Sequence, residues 1–168
     1  MSFLKYLKDE LDGKLHPFLG KDCTLVPIPR SSKLVEGGLW PSKAIADFLF
    51  INGFGKEVST LLFREKTIQK SAVNSSSEHR TTVQTHYDTI KVQPGLIIPT
   101  KITLIDDFIT QGRTSYACAQ RLHDVYPDAE IRVFAILRTM TFYTNLENFI
   151  DISTGTVTYF PSGKTFRS

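Results

Sequence analysis

Three short apolar runs, "CTLVPIP" (Cys23 to Pro29), "ITLID" (Ile102 to Asp106) and "IRVFAILR" (Ile131 to Arg138), restrict the fold more than any other feature of the chain. Each reads as a buried strand, the first ended by prolines. Helical patterns lie between them. "WPSKAIADFLFING" puts Trp40, Ala44, Ile45, Phe48 and Leu49 on one helical face, with Pro41 in the first turn and Gly53 just past the end. "EVSTLLF" (Glu57 to Phe63) reads as another strand. After "ITLID", Thr114 or Ser115 can cap a helix in which Cys118, Leu122 and Val125 share a face before Pro127 stops it. The order strand, helix, strand, loop, strand, helix, strand predicts an α/β fold, an open and mainly parallel sheet with helices on both faces. Ligands of such sheets gather at the carboxyl ends of the strands.

The remaining segments are less regular. "MSFLKYLKDELDG" spaces Phe3, Leu4, Leu7 and Leu11 as an amphipathic helix rather than a secretory segment. From Arg64 to about Gln84 the chain turns polar, with three consecutive serines, and reads as a long loop. "YDTIKV" reads as a strand or hairpin arm, and "QPGLIIPTK" turns the chain into "ITLID". The tail from Thr139, with "TVTYF" near its end, suits a small cap beside the sheet.

With 168 residues the expectation is one domain over 1–168, whose segments 1–20 and 139–168 are available as a hood. No apolar run is as long as a membrane span, so no membrane partner and a cytoplasmic location are expected. Cys23 and Cys118 lack zinc-site spacing and read as buried thiols. The net charge of +3 is not gathered into a basic run, which gives little support for nucleic-acid binding and suits a phosphorylated small molecule equally well.

The chemistry concentrates in "ITLIDDFITQGRTS". Two adjacent buried carboxylates are too costly without cations, so the strand should end near Asp107 with both acids at the rim. Thr110, Gln111, Gly112, Arg113 and Thr114 then lead into a helix, whose first turn offers unpaired N–H groups and the positive end of the dipole. Gly112 lets backbone approach an anion, and the hydroxyls of Thr110, Thr114 and Ser115 can donate to phosphate oxygens. The acids cannot bind that same phosphate. A ribose 5-phosphate group has the matching layout, with its phosphate on the loop and its 2′ and 3′ hydroxyls on Asp106 and Asp107, where Mg²⁺ can bridge.

This stretch resembles the thirteen-residue binding signature of type I phosphoribosyltransferases: an apolar strand, two acids, then a phosphate loop ending in a threonine. It departs at Gln111 and Arg113, where that family more often carries small residues. The resemblance implies a single-domain phosphoribosyltransferase-like fold, phosphoribosyl pyrophosphate and Mg²⁺ as ligands, and frequent homodimers. It also implies catalytic roles for Asp106 and Asp107. "PIPRSSK" resembles the family's pyrophosphate loop through Arg30, Ser31, Ser32 and Lys33; taken alone it is a basic turn. Lys66, Lys70 and Arg80 would belong to a mobile loop that closes over the ligand, together with His79. The order of these pieces from Leu25 to Arg138 is nearest to the ComF-like branch, although "GGLWPS" replaces the usual Asn-Gln pair and the four-cysteine zinc module is missing.

The resulting expectation is transfer of ribose 5-phosphate to a nitrogen nucleophile with release of pyrophosphate. The alternatives are a non-catalytic sensor of phosphoribosyl pyrophosphate or a nucleotide, and a ComF-like partner in DNA handling. Phe142 and Tyr143, in "TMTFYTNLENF", are available to stack on an acceptor ring. A receiver-like or Rossmann-like domain fits less well, because no "GxGxxG" follows the first strand and the acidic pair comes late.

Overall fold

The computed structural model describes residues 3–10, 13–32, 37–68, 81–139 and 152–168. Its elements run α1 (Phe3–Asp9), α2 (His16–Leu19), β1 (Thr24–Pro27), α3 (Pro41–Ile51), β2 (Glu57–Val58), β3 (Leu62–Arg64), α4 (Val83–Thr89), β4 (Ile90–Val92), β5 (Lys101–Ile109), α5 (Arg113–Val125), β6 (Glu130–Arg138), β7 (Val157–Tyr159) and β8 (Thr165–Arg167). Four of the strands form a parallel sheet in the order β2, β1, β5, β6, and two antiparallel pairs, β3–β4 and the hairpin β7–β8, form separate two-stranded sheets. Among the described residues no helix is long and apolar enough to cross a membrane.

Side chains on a strand alternate between faces, so each central strand feeds two cores. On one side Val26, Ile28, Ile102 and Leu104 pack with Cys118, Leu122 and Tyr126 of the α5 region and with Leu62 and Ile90 of the β3–β4 pair. On the other, Leu25 and Ile105 pack with Leu7, Leu15, Leu19, Ala46, Leu49 and Phe54 from the region of α1, α2 and α3. The sheet is thus an α/β layer with helices on both faces, as the alternation of elements predicts. Cys23 and Cys118 are both buried and free.

Several sequence expectations change. "EVSTLLF" is not one strand: Glu57 and Val58 join the main sheet, whereas Leu62–Arg64 pair with Ile90–Val92. The expected loop from Arg64 to Gln84 begins and ends in regular structure, because Arg64 closes β3 and α4 starts at Val83. There the Thr82 hydroxyl caps α4 by accepting from the Thr85 N–H at 3.1 Å. Most of "YDTIKV" consequently splits between that helix and β4. On α3 the buried residues are Ser42, Ala46 and Leu49, while Phe48 stays 46% exposed, so the apolar face is rotated from the expected one. "IRVFAILR" is an edge strand of the sheet among the described residues and only half-buried.

The central position of β5 between β1 and β6 yields a direct test. Leu104 is fully buried there. Leu104→Ala is expected to lower unfolding free energy by about 2–5 kcal/mol through lost burial and a residual cavity, measured by denaturant titration; a loss under about 1 kcal/mol would contradict this packing.

Candidate functional site

The site is set by where two ladders end. β1 pairs with β5 from Thr24↔Ile102 to Pro27↔Ile105, and the Ile28 N–H adds one more bond to the Ile105 carbonyl at 2.9 Å. Beyond Ile105 β5 continues with β6 alone, through Asp106↔Ala135 to Ile109↔Arg138. The strand therefore does not end near Asp107 but two residues later, because β6 continues to pair with Asp106, Phe108 and Ile109 after β1 has left. From β1 the chain next builds β2 on one flank, and from β5 it builds β6 on the other. A crevice between two such strands, at their carboxyl ends, is where ligands of open parallel sheets bind.

Asp106 is half-buried and Asp107 exposed. Asp107 N–H donates to the Asp106 carboxylate at 3.0 Å, and Phe108 N–H donates to the Asp107 carboxylate at 3.1 Å. Burial, then the hydrogen bond and the negative charge of Asp107, push the Asp106 carboxyl up to about 7. Among the described residues no group of three or more His, Cys, Asp or Glu side chains is placed to hold a metal.

The following loop turns at Gly112, which adopts the left-handed conformation (φ 74°) and is the N-cap of α5. Neither Thr114 nor Ser115 caps the helix, contrary to expectation. The helix begins one residue before Thr114, and Ser115 is buried inside its first turn. Thr110 and Gln111 are exposed, and Thr114 is half-buried. Arg113 neither faces solvent freely nor heads only for the loop: its guanidinium donates to the Thr81 carbonyl at 3.3 Å, leaving Nε buried with no partner among the described residues.

The C-terminal hairpin braces this loop. Val157 covers Gly112 so closely that a Cβ there would lie 2.8 Å from the Val157 methyls. Tyr159 stacks on Tyr116 with ring centres 5.1 Å apart, and Arg167 donates to the carbonyls of Ile109 (3.0 Å) and Thr139.

The Arg30 segment follows β1 directly. Arg30 donates to the Leu39 carbonyl at 2.5 Å, and the Trp40 indole N–H donates to the Ile28 carbonyl at 2.8 Å, so the start of α3 is tied to the end of β1. Ser31 and Ser32 are half-buried, and the Ser31 carbonyl accepts from Ile68 N–H at 2.9 Å. Arg30 and Ser32 border a cleft of about 340 Å³ with Pro29, Trp40, Phe63 and Arg64. Lys66 is exposed. Lys33, Lys70, His79, Arg80, Phe142 and Tyr143 lie outside the described residues.

Two groups at this site escape the sequence reading. Arg64 is only 6% exposed, and its Nε donates to the Arg30 carbonyl at 2.6 Å while another nitrogen donates to the Thr89 hydroxyl at 2.6 Å. His86 is buried beside it, its imidazole pushed down to about 4 by burial and then by the charges of Arg64 and Arg113, so it is neutral at pH 7. The signals were present. Strand alternation puts Arg64 on the face of Leu62, and helical spacing puts His86 on the face of Val83.

No protein-family model matches the chain, and no curated protein matches it either.

Two outcomes test the site as built. Because the folded Asp106 binds its proton more tightly than the unfolded chain, its contribution to stability is fully present below about pH 4 and is lost as pH rises through about 7. Asp106→Asn should therefore gain on the native protein by about 1–3 kcal/mol between pH 5 and pH 8, read from denaturant midpoints at the two values; a gain independent of pH would contradict it. Gly112→Ala should cost about 2–4 kcal/mol from left-handed strain and the clash with Val157. Adding Val157→Ala should recover only the clash, so full recovery, or none, would contradict the geometry.

Proposed function

We propose that the chain binds phosphoribosyl pyrophosphate with Mg²⁺ and transfers its ribose 5-phosphate to a nitrogen nucleophile, releasing pyrophosphate, on a type I phosphoribosyltransferase-like fold. The observation that carries this reading is the end of the β1–β5 ladder. It leaves the Arg30–Ser32 segment at the carboxyl end of one strand and two carboxylates, followed by a glycine-turned helix N-terminus, at the carboxyl end of its parallel neighbour.

Each part of the ligand has a counterpart there. Backbone N–H groups at the start of α5, with the Thr110 and Thr114 hydroxyls, suit the 5-phosphate. Asp106 and Asp107 suit the ribose hydroxyls, and their negative charge favours the positive charge that develops on the sugar as the bond to pyrophosphate breaks. Arg30, Ser31 and Ser32 suit the departing diphosphate, with Lys33 next in sequence. The donor chemistry at the strand end also fits Mg²⁺, which commonly takes one or two carboxylates together with substrate phosphates and keeps several waters. When bound, the ion would supply charge neutralisation for the diphosphate, held through the ligand and by Asp106 and Asp107. The 5-phosphate takes no part in bond breaking, so its binding energy can serve to position the sugar.

A sensor that holds the same ligand without turnover is the second reading. It is favoured by one observation: Arg30, the first cation of the diphosphate loop, already donates to the Leu39 carbonyl.

Mg²⁺ and phosphoribosyl pyrophosphate at 100 times Kd should stabilise the protein by about 2.7 kcal/mol, visible as a raised melting temperature. Given a panel of nucleobases and amines, the protein should release pyrophosphate, and Asp107→Ala should reduce release roughly 100-fold or more. Stabilisation without release across the panel would establish the sensor; no stabilisation at all would refute both.

A further inference from the structure

Arg64 presents a buried cation for which no described carboxylate acts as partner. Burying a charge in that way costs several kcal/mol unless hydrogen bonds and an opposite charge compensate. Hydrogen bonds are supplied by the Arg30 carbonyl, the Thr89 hydroxyl and, at 3.4 Å, the Nδ1 of His86. Among the described residues Arg64 forms no ion pair, and it borders the cleft with Arg30, Ser32 and the exposed Glu65.

The contact with His86 carries more information than the charge alone. A guanidinium has donors and no acceptor, so the Nδ1 facing it must be the accepting nitrogen of a neutral imidazole. The ring proton is then on Nε2. That nitrogen lies 3.3 Å from the Thr114 hydroxyl oxygen, to which it must donate. A hydroxyl has a single proton. With its oxygen already accepting from His86, and no other partner for it among the described residues, Thr114 is left with its O–H as a donor at the first turn of α5.

We infer that His86 is a positioning residue which, with its tautomer set by Arg64, holds the Thr114 hydroxyl as a hydrogen-bond donor to a phosphate at the start of α5. Arg64, His86 and Thr114 form a one-directional relay of donors that joins the wall of the cleft to the anion loop. The neutral state of the imidazole is what allows this direction, since an imidazolium would offer Arg64 a second donor. This inference deepens the phosphoribosyl pyrophosphate reading and rests on it for the identity of the ligand, but the direction of the relay belongs to the protein alone.

The first measurement needs no ligand and no variant. The ¹⁵N shifts of the His86 ring in the native protein at pH 7 should report the Nε2–H tautomer; the Nδ1–H tautomer would overturn the relay. Binding of phosphoribosyl pyrophosphate with Mg²⁺, and of inorganic phosphate, is then measured by calorimetry in a double-mutant cycle of His86→Leu and Thr114→Val. Each single change should weaken binding about 10- to 100-fold, the usual worth of a hydrogen bond to a charged group. The double variant should be no more than about threefold weaker than the worse single one, because His86 acts on the ligand only through the Thr114 hydroxyl.

His86→Gln, which can keep an N–H near the Nε2 position, and Thr114→Ser, which keeps the hydroxyl, should both restore binding. A purely structural role for His86 would give independent effects and no rescue by Gln, and that outcome sinks the inference while leaving the functional reading intact. Binding of inorganic phosphate with the same coupling, but no binding of phosphoribosyl pyrophosphate, would retain the relay and refute the functional reading. Absence of binding by either probe would refute both.

Discussion

The stop in the β1–β5 ladder governs the rest of the molecule's business end. While the two strands are paired, their apolar side chains belong to the two cores, and the buried hydroxyls of Thr24 and Thr103 donate to the Glu57 carboxylate and the Phe18 carbonyl. One residue after Ile105 the pairing is lost on one flank only. That asymmetry removes one neighbour from β5 at the acids, where the Asp107 and Phe108 N–H groups donate to the carboxylates of Asp106 and Asp107, while β6 still pairs with Asp106, Phe108 and Ile109. It also explains why the polar loops after β1 and β5 leave from the same edge: two parallel neighbours deliver their loops to one edge of the sheet.

Around this edge the chain spends unusual chemistry. A carboxyl is held near neutrality at Asp106, a guanidinium is buried at Arg64, and an imidazole is kept uncharged at His86. Each is unfavourable as a contribution to folding. Such groups persist where the scaffold on both sides is well packed, and the fully buried aliphatic residues of β1, β5, α3 and α5 supply that packing.

Much of this was legible in the sequence, and the limits have physical causes. β1, β5 and α5 were readable because burial on both faces imposes continuous apolar runs and a clear helical period. The acidic pair and the turn before α5 were readable as a candidate site because Asp106, Asp107 and Gly112 have few structural reasons to follow one another. The division of "EVSTLLF" was hidden because its two halves are equally β-prone, and only tertiary pairing sends Glu57 to β1 and Leu62 to β4. The helix α4 was hidden because "VQTHYDT" has little apolar period of its own; a threonine cap and packing on α5 make it helical. Arg64 looked like the first residue of a polar loop because charge outweighs strand alternation in any local reading. The extension of β5 past its acids depended on β6, which no local pattern announces.

The hairpin at residues 157–167 gives the anion loop a different character from the sheet beneath it. Val157, Tyr159 and Arg167 reach Gly112, Tyr116 and Ile109, about 43 to 58 positions earlier in the chain, and closing contacts of that span carries an entropic cost that local structure does not. Among the described residues the hairpin reaches the loop through Val157, Tyr159 and Arg167, whereas the sheet is packed by a core on each face. The conformation of the loop therefore depends on the docking of a distant segment as well as on the sheet beneath it.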